Sequence, residues 1–100
     1  PCSGQSLVLK GEGSQGTFHP SVISMNVRRQ RRLLSSAVEL LAPGGRLLYL
    51  TCTFAREENE EVIHWILKHR PELRAIPAPG FEPFRSPFTD LPSYRVWPWQ

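Results

Sequence analysis

The chain has 100 residues, is 40% hydrophobic and carries a formal net charge of +3. Such a length and composition suit one small domain or part of one, and this chain is too short for more. No stretch approaches the roughly 20 apolar residues that span a bilayer, and the first residues lack a signal-peptide pattern, so a cytoplasmic protein is expected. The modest positive charge permits a nucleic-acid partner without requiring one.

The first half of the chain predicts a loop followed by a helix. Residues 3–20 are rich in glycine and end in the proline-containing run FHP, which is typical of a loop. An apolar period of 3.6 residues then predicts an amphipathic helix that begins between positions 21 and 25 and runs to position 41. The PGG sequence at 43–45 ends this helix, because glycine readily takes the left-handed cap conformation.

A strand, a second helix and a short second strand are predicted next. Residues 46–51, RLLYLT, form a short apolar run of the kind found in strands that are covered on both faces of a parallel sheet. The period of residues 56–69 predicts a helix, with acidic residues crowding its first turns and basic residues its last, as the helix dipole favours. Residues 73–78 are compatible with one further strand.

The last quarter of the chain predicts a loop. Residues 77–100 hold six of the ten prolines, interleaved with aromatic side chains. These side chains could stack on nucleic-acid bases, but anchoring a proline-rich loop is the simpler use for them. They are Phe81, Phe84, Phe88, Tyr94, Trp97 and Trp99.

This order of elements predicts an α/β fold with parallel strands flanked by helices. In such sheets, ligands bind at the carboxyl ends of the strands, and Cys52 follows the predicted strand 46–51. The other cysteine, Cys2, would follow a strand that precedes Pro1. The two could form a disulfide, but without a secretory context a reduced pair with a chemical role is at least as reasonable.

Several motifs resemble the Nop/Sun family of RNA cytosine-5 methyltransferases. The resemblance rests on PCSG at 1–4, FHP at 18–20, PGG at 43–45, Gln30 with the leucine pair that follows it, and above all TCTFAREENEEVI at 51–63. PGG alone is common to many methyltransferases, whereas TCTF with EENE some fifty residues after PCSG is specific. The resemblance covers most of positions 1–76.

That resemblance implies a fold, a reaction and a cofactor. The chain would be the C-terminal half of one Rossmann-like class I catalytic domain, truncated at both ends, with 1–76 as the matched core and 77–100 as a loop that leads to a missing strand. The parent enzyme would use S-adenosyl-L-methionine to form 5-methylcytosine in rRNA or tRNA. Most of the cofactor site, and an acidic residue that contacts the cytosine, would lie outside this chain, so the chain alone is expected to be inactive.

By similarity, the cysteines have different roles in this reaction. Carbon 5 of cytosine is a weak nucleophile until a thiolate adds to carbon 6, and cysteine suits that addition. The resemblance assigns the addition to Cys52 and help with product release to Cys2. Either cysteine could instead be structural. Glu57 and Asn59 are expected to brace the cysteine loop, although much of the acidic block suits helix-start electrostatics.

Basic residues are candidates for RNA contacts. Arg28 and Arg32, one turn apart in a run of four arginines, and Lys10 could bind phosphates, although a solvated surface is the simpler interpretation. The three histidines do not have the spacing of metal ligands, so no metal is expected. A noncatalytic RNA-binding or scaffold module that retains half of the methyltransferase fold is the alternative to an enzyme.

Overall fold

The computed structural model describes residues 1–6 and 15–97. Two α-helices are the main elements, α1 at Pro20–Glu39 and α2 at Glu60–His69. Short 3-10 helices are found at Gln15–Phe18, Arg56–Glu58 and Glu82–Phe84. Across the part of the chain that is described, no helix is both long enough and apolar enough to span a membrane.

The FHP sequence starts helix α1. The Nδ1 atom of His19 accepts a hydrogen bond of 3.1 Å from the backbone N–H of Ser21, and therefore caps one of the free N–H groups at the helix start. Pro20 occupies the first helical position, where its missing N–H has no intrahelical partner to lose. After the helix ends, Gly44 takes a φ of +81°, as expected of a glycine in a chain reversal.

The hydrophobic core lies between the two helices. Leu34 and Val38 of α1 pack with Val62 and Ile66 of α2, and all four side chains are buried. Within each helix these residues are four apart, so the core is built from one stripe of each. Partly buried side chains surround the four, namely Val27, Tyr49, Trp65, Leu67 and Leu73.

The predicted parallel strands are absent from the described residues. Residues 46–51 and 73–78 are irregular, and no named strand occurs in the described ranges. The prediction of strands was therefore wrong for this structure, whereas both predicted helices are present. A strand requires a neighbour that shares its backbone hydrogen bonds, and residues 46–51 have none here. Leu48 and Leu50 are consequently 78% exposed each, although their sequence is that of a buried strand.

The C-terminal segment folds back on itself. Arg85 and Tyr94 form an isolated antiparallel bridge, and the backbone N–H of Arg95 donates to the carbonyl of Phe84 at 2.8 Å. The rings of Phe81 and Tyr94 pack edge to face with their centroids 6.0 Å apart. These contacts bring residues 84–95 together as one unit against the rest of the chain.

We expect the helix interface to control the stability of the chain. Replacing Ile66 by Val removes one buried methylene, and it should lower the free energy of unfolding by about 1 kcal/mol. Ile76→Val is the matched control, because Ile76 is 52% exposed and the same deletion leaves no cavity there. Urea titration of both variants measures the difference. Equal losses would contradict a core placed between α1 and α2.

Candidate active site

The two cysteines lie side by side although they are fifty positions apart in the chain. Their Sγ atoms are 3.2 Å apart, and both thiols are free. The backbone N–H of Cys52 also donates to the Sγ atom of Cys2 at 3.4 Å. The structure therefore brings both predicted catalytic residues into one site.

Hydrogen bonds to backbone groups of the TCTF loop hold residues 5 and 6 of the N-terminal segment against it. The backbone N–H and the hydroxyl of Ser6 both donate to the carbonyl of Cys52, at 3.0 and 2.8 Å. The backbone N–H of Phe54 donates to the side-chain oxygen of Gln5 at 3.1 Å. Gly4 has a φ of +67°, which lets the chain turn between Cys2 and these contacts. The glycine of PCSG is thus required by the local backbone.

Glu58 joins three parts of the chain through one buried carboxyl group. Its side chain is fully buried, and its Oε1 atom accepts from the backbone N–H of Ser3 at 2.8 Å and from the amide of Gln30 at 3.0 Å. Its Oε2 atom accepts from the Ser3 hydroxyl at 2.6 Å. The same Gln30 amide donates to the Pro1 carbonyl at 2.9 Å. The N-terminal segment, α1 and the cysteine loop therefore meet at this carboxyl.

Asn59 holds the cysteine loop from the other side. Its Nδ2 atom donates to the carbonyls of Thr53 and Ala55, both at 2.9 Å, and its Oδ1 atom accepts from the Thr51 hydroxyl. Asn59 therefore makes the kind of hydrogen bonds that are expected of a residue that braces the cysteine loop. Glu57, the other residue predicted to brace the loop, is exposed, and its side chain makes no hydrogen bond within the described residues.

Tyr49 ties the irregular segment to the same place. Its hydroxyl donates to the backbone carbonyl of Glu58 at 2.7 Å. Burial raises the pKa of Tyr49, and the neighbouring Glu58 and Cys2 raise it further. The phenol therefore stays protonated at neutral pH and remains a hydrogen-bond donor.

A second buried carboxylate anchors the C-terminal segment to the TCTF loop. Glu60 forms two hydrogen bonds of 2.8 Å with Arg95, and its Oε2 atom also accepts from the Ser86 hydroxyl at 2.7 Å. Burial alone would raise the pKa of Glu60, but the hydrogen bonds from Arg95, Ser86 and its own backbone N–H outweigh burial and lower it. Arg95 also donates to the carbonyl of Phe54 at 3.0 Å. One guanidinium thus links the last segment to the loop that carries Cys52.

Aromatic residues of the C-terminal segment cover the same loop. The rings of Phe54 and Trp97 stack with centroids 5.8 Å apart. The guanidinium of Arg56 lies 3.6 Å from the ring centre of Phe88. These aromatic side chains thus contact protein groups beside the cysteine loop.

An open cleft of about 710 Å³ gives access to the cysteines. Cys52 is exposed in this cleft, and Cys2 is half-buried beside it. The lining residues are Pro1, Cys2, Ser3, Gly4, Thr17, Leu50, Thr51 and Cys52. A planar ring of the size of a nucleobase fits such a volume, so a thiol can meet a substrate here.

The hydrogen bond with Cys2 raises the pKa of Cys52 above its ordinary value, and partial burial and the nearby carboxyl of Glu58 add to the rise. Cys52 is therefore mainly a thiol at neutral pH while the two sulfurs are in contact. A thiolate is the reactive form of cysteine. A nucleophilic role of Cys52 thus requires either that the contact with Cys2 is broken or that a base removes the proton of the Cys52 thiol.

The predicted RNA contacts have different places in the structure. Arg28 and Arg32 are exposed on α1, and Arg32 lines a second pocket of about 280 Å³ together with Pro1, Arg29 and Leu33. Arg31 instead stacks over the ring of Trp65 at 5.0 Å. Lys10 lies outside the described residues. Of the predicted pair, Arg32 therefore lies beside the residue that precedes Cys2.

The described residues do not form a complete cofactor site. The cleft lining that the structure describes contains no carboxylate that could bind ribose hydroxyls. In residues 1–6 and 15–97, no group of three metal-binding side chains occurs.

Sequence reasoning did not single out Glu58, the residue that joins the site. A signal for it was present: Glu58, Val62 and Ile66 are four residues apart, so Glu58 lies on the apolar stripe of the helical region. An acidic residue on a buried stripe needs dedicated partners. Ser3 and Gln30 are those partners, and only the tertiary structure shows that they meet it.

We expect Glu58→Ala to lower the free energy of unfolding by about 2–4 kcal/mol, because it leaves the donors of Ser3 and Gln30 without their acceptor. Glu58→Gln should cost less, since the Ser3 hydroxyl can reverse its role and accept from the new amide. Glu57→Ala is the matched control and should change stability by less than about 0.5 kcal/mol. Urea unfolding measures all three. Equal effects of Glu58→Ala and Glu57→Ala would refute this role.

Comparison with known proteins agrees with the motif pattern. A sequence model of the 16S rRNA methyltransferase RsmB/F family matches residues 1–100. The ribosomal RNA small subunit methyltransferase F of Pectobacterium carotovorum is 38% identical over 90 residues, which are 90% of this chain and 18% of that protein. The protein of the same name from Cronobacter sakazakii is 42% identical over 72 residues, 72% of this chain and 15% of that protein.

The chain therefore spans less than a fifth of the length of these curated relatives. No solved structure matches it. The family resemblance read from PCSG and TCTF is confirmed, because the family match extends over the whole chain and includes both motifs. The chain belongs to the RsmB/F family of 16S rRNA methyltransferases.

Proposed function

We propose that this chain is the C-terminal part of the catalytic domain of an RNA methyltransferase that forms 5-methylcytosine through a covalent bond between Cys52 and the base. The observation that carries the proposal is the pair of free thiols, 3.2 Å apart, at the wall of an open cleft. A noncatalytic scaffold would need neither thiol, nor the buried carboxyl network that holds the two together.

Cys52 is the proposed nucleophile because it is the more exposed thiol and follows directly on the cleft residues Leu50 and Thr51. Its thiolate adds to carbon 6 of cytosine, and the electron pair of the 5,6 double bond then makes carbon 5 nucleophilic. A ring that enters between the sulfurs would break the contact with Cys2. Loss of that contact removes the largest cause of the raised pKa of Cys52.

Cys2 is the proposed group for product release. After carbon 5 has gained its methyl group, the proton on that carbon must leave before the bond from Cys52 to carbon 6 can break. Cys2 lies beside Cys52 on the same cleft, within reach of a base bound there. A sulfur in that position can accept the proton or assist its transfer.

S-adenosylmethionine is the proposed methyl donor of the complete enzyme, as is general for methyltransferase families. The described residues do not hold it by themselves, since the cleft lacks a carboxylate for the ribose. We infer that the donor site belongs to the larger part of the catalytic domain. The 78% exposure of Leu48 and Leu50 supports this, because the helices that pack on the faces of a Rossmann-like sheet would cover both side chains.

Ribosomal RNA of the small subunit is the substrate class that the relatives favour, since their names specify it. The sequence motifs alone are equally compatible with transfer RNA as the substrate. We infer that exposed arginines of α1 contact the phosphates of such an RNA, and the pocket that Arg29 and Arg32 share with Pro1, the neighbour of Cys2, supports this.

Replacing each of the two cysteines should impair a different step of the reaction in the complete enzyme. Cys52→Ala removes the adding thiolate, so methyl transfer and any covalent protein–RNA adduct should both vanish, with a rate loss of several orders of magnitude. Cys2→Ala should leave addition possible but block release, so that methylated RNA accumulates as an adduct. A denaturing gel with labelled RNA shows the adduct as a slow band that survives boiling in detergent.

The double variant Cys2→Ala with Cys52→Ala is the control, because it should lose the band that Cys2→Ala shows. An adduct in Cys52→Ala and none in Cys2→Ala would reverse the assigned roles. Full activity in both single variants would refute the proposed function.

Arg28 and Arg32 should contribute to RNA affinity through phosphate contacts. Replacing both by Ala in the complete enzyme should weaken binding and reduce the slope of log K against log salt by about 1.4, since each contact to single-stranded RNA adds about 0.7. Lys68→Ala with Arg74→Ala is the matched control, because both residues are exposed cations that lie outside helix α1 and outside both pockets. Filter binding at several salt concentrations measures the slopes. Equal slopes in the two double variants would leave Arg28 and Arg32 as a solvated surface.

A further inference from the structure

The distance between the cysteines has a second chemical consequence. Their Sγ atoms are 3.2 Å apart, and a disulfide bond requires about 2.05 Å, so the sulfurs must close by about 1.2 Å. Both residues lie in irregular segments outside the helices, where a small backbone shift does not disturb the helix core. The pair is therefore close to the geometry of a disulfide while still reduced.

We propose that Cys2 and Cys52 form a reversible disulfide when hydrogen peroxide enters the cleft, and that this bond switches the methyltransferase off. The switch rests on the proposed function of Cys52, because a sulfur that is bonded to Cys2 cannot add to a base. The formation of the bond rests only on the geometry of the pair.

The first step takes place at the more exposed sulfur. The thiolate of Cys52 attacks one peroxide oxygen, so that a sulfur–oxygen bond forms and the oxygen–oxygen bond breaks. The sulfur loses two electrons and becomes a sulfenic acid. The leaving hydroxide takes up the proton that the Cys52 thiol released, and one water is produced.

The second step joins the two residues. Cys2 loses its proton and attacks the oxidised sulfur of Cys52, so that the sulfur–sulfur bond forms and the sulfur–oxygen bond breaks. The leaving hydroxide takes the Cys2 proton and becomes a second water. In sum, two thiols and one peroxide give one disulfide and two waters. A dithiol such as dithiothreitol reverses the bond by donating two electrons through thiol–disulfide exchange.

The surroundings of the pair favour bond formation over further oxidation. Hydrogen bonds from Ser6 to the Cys52 carbonyl, and from Ser3 to Glu58, hold both segments in place. Cys2 is thus the nearest nucleophile to any sulfenic acid on Cys52. The raised pKa of Cys52 makes the first step slow at neutral pH, and the rate should increase with pH as the thiolate fraction rises.

The first experiment uses the chain itself, which contains no other cysteine. After treatment with dilute hydrogen peroxide, we expect both free thiols to disappear, the mass to fall by two hydrogen atoms, and one proteolytic peptide pair to contain residues 2 and 52. The same treatment in concentrated urea should form this bond slower by on the order of tenfold or more, because the fold no longer holds the sulfurs together.

Cys2→Ser is the matched variant, since it keeps Cys52 and removes only the sulfur that would resolve the sulfenic acid. In this variant, peroxide should leave a sulfenic acid on Cys52 that reacts with dimedone, whereas the unchanged chain should show little of this label. A disulfide-linked dimer in place of the internal bond, or sulfinic acid on Cys52 beside a free Cys2, would overturn the proposal.

The second experiment tests the switch in the complete enzyme. Peroxide should abolish methyl transfer in step with formation of the bond between Cys2 and Cys52, and dithiothreitol should restore at least about nine-tenths of the rate. Unchanged methylation by the fully oxidised enzyme would overturn the switch. Because the thiol measurements on the chain involve no RNA, they separate a failure of the bond from a failure of the proposed function.

Discussion

A buried carboxyl group on Glu58 connects the parts of this structure on which the site depends. A carboxyl that has no exposed surface must have its hydrogen bonds satisfied within the protein. Its donors come from Ser3 in the N-terminal segment and Gln30 in the middle of α1. These hydrogen bonds fix the N-terminal residues, and with them Cys2, beside Cys52.

The site combines a rigid support with a pair of free thiols, of which Cys52 is exposed to solvent. Asn59 and the Glu60–Arg95 ion pair restrain the loop around Cys52 through backbone carbonyls, and both residues of the ion pair are almost fully buried. The sulfurs themselves face the cleft. A covalent nucleophile requires both features, because the loop must keep its geometry while the thiol remains accessible to a substrate.

The acidic block after the cysteine shows how one sequence motif serves several purposes. Helix-dipole electrostatics explain why carboxylates are tolerated at the start of α2. Two of them have further roles, because Glu58 organises the N-terminal side of the site and Glu60 binds the C-terminal segment through Arg95. Glu57 and Glu61 are exposed. The position of each carboxylate around the helical turn thus decides whether it is buried with hydrogen-bond partners or exposed to solvent.

Sequence alone determined the two helices and singled out the two cysteines that the structure brings together. Local periodicity is enough for a helix, since its hydrogen bonds form within one segment. The motif around Cys52 was likewise specific enough to indicate the family.

Only the tertiary structure decided the rest. The strand predicted at residues 46–51 needs hydrogen bonds from a neighbouring segment, and the described residues do not supply them. Glu58 rather than Glu57 is buried because its side of the turn faces Ser3 and Gln30. The contact between Cys2 and Cys52 joins positions that are distant in sequence. Contacts between distant segments depend on how the whole chain packs, and no local pattern encodes them.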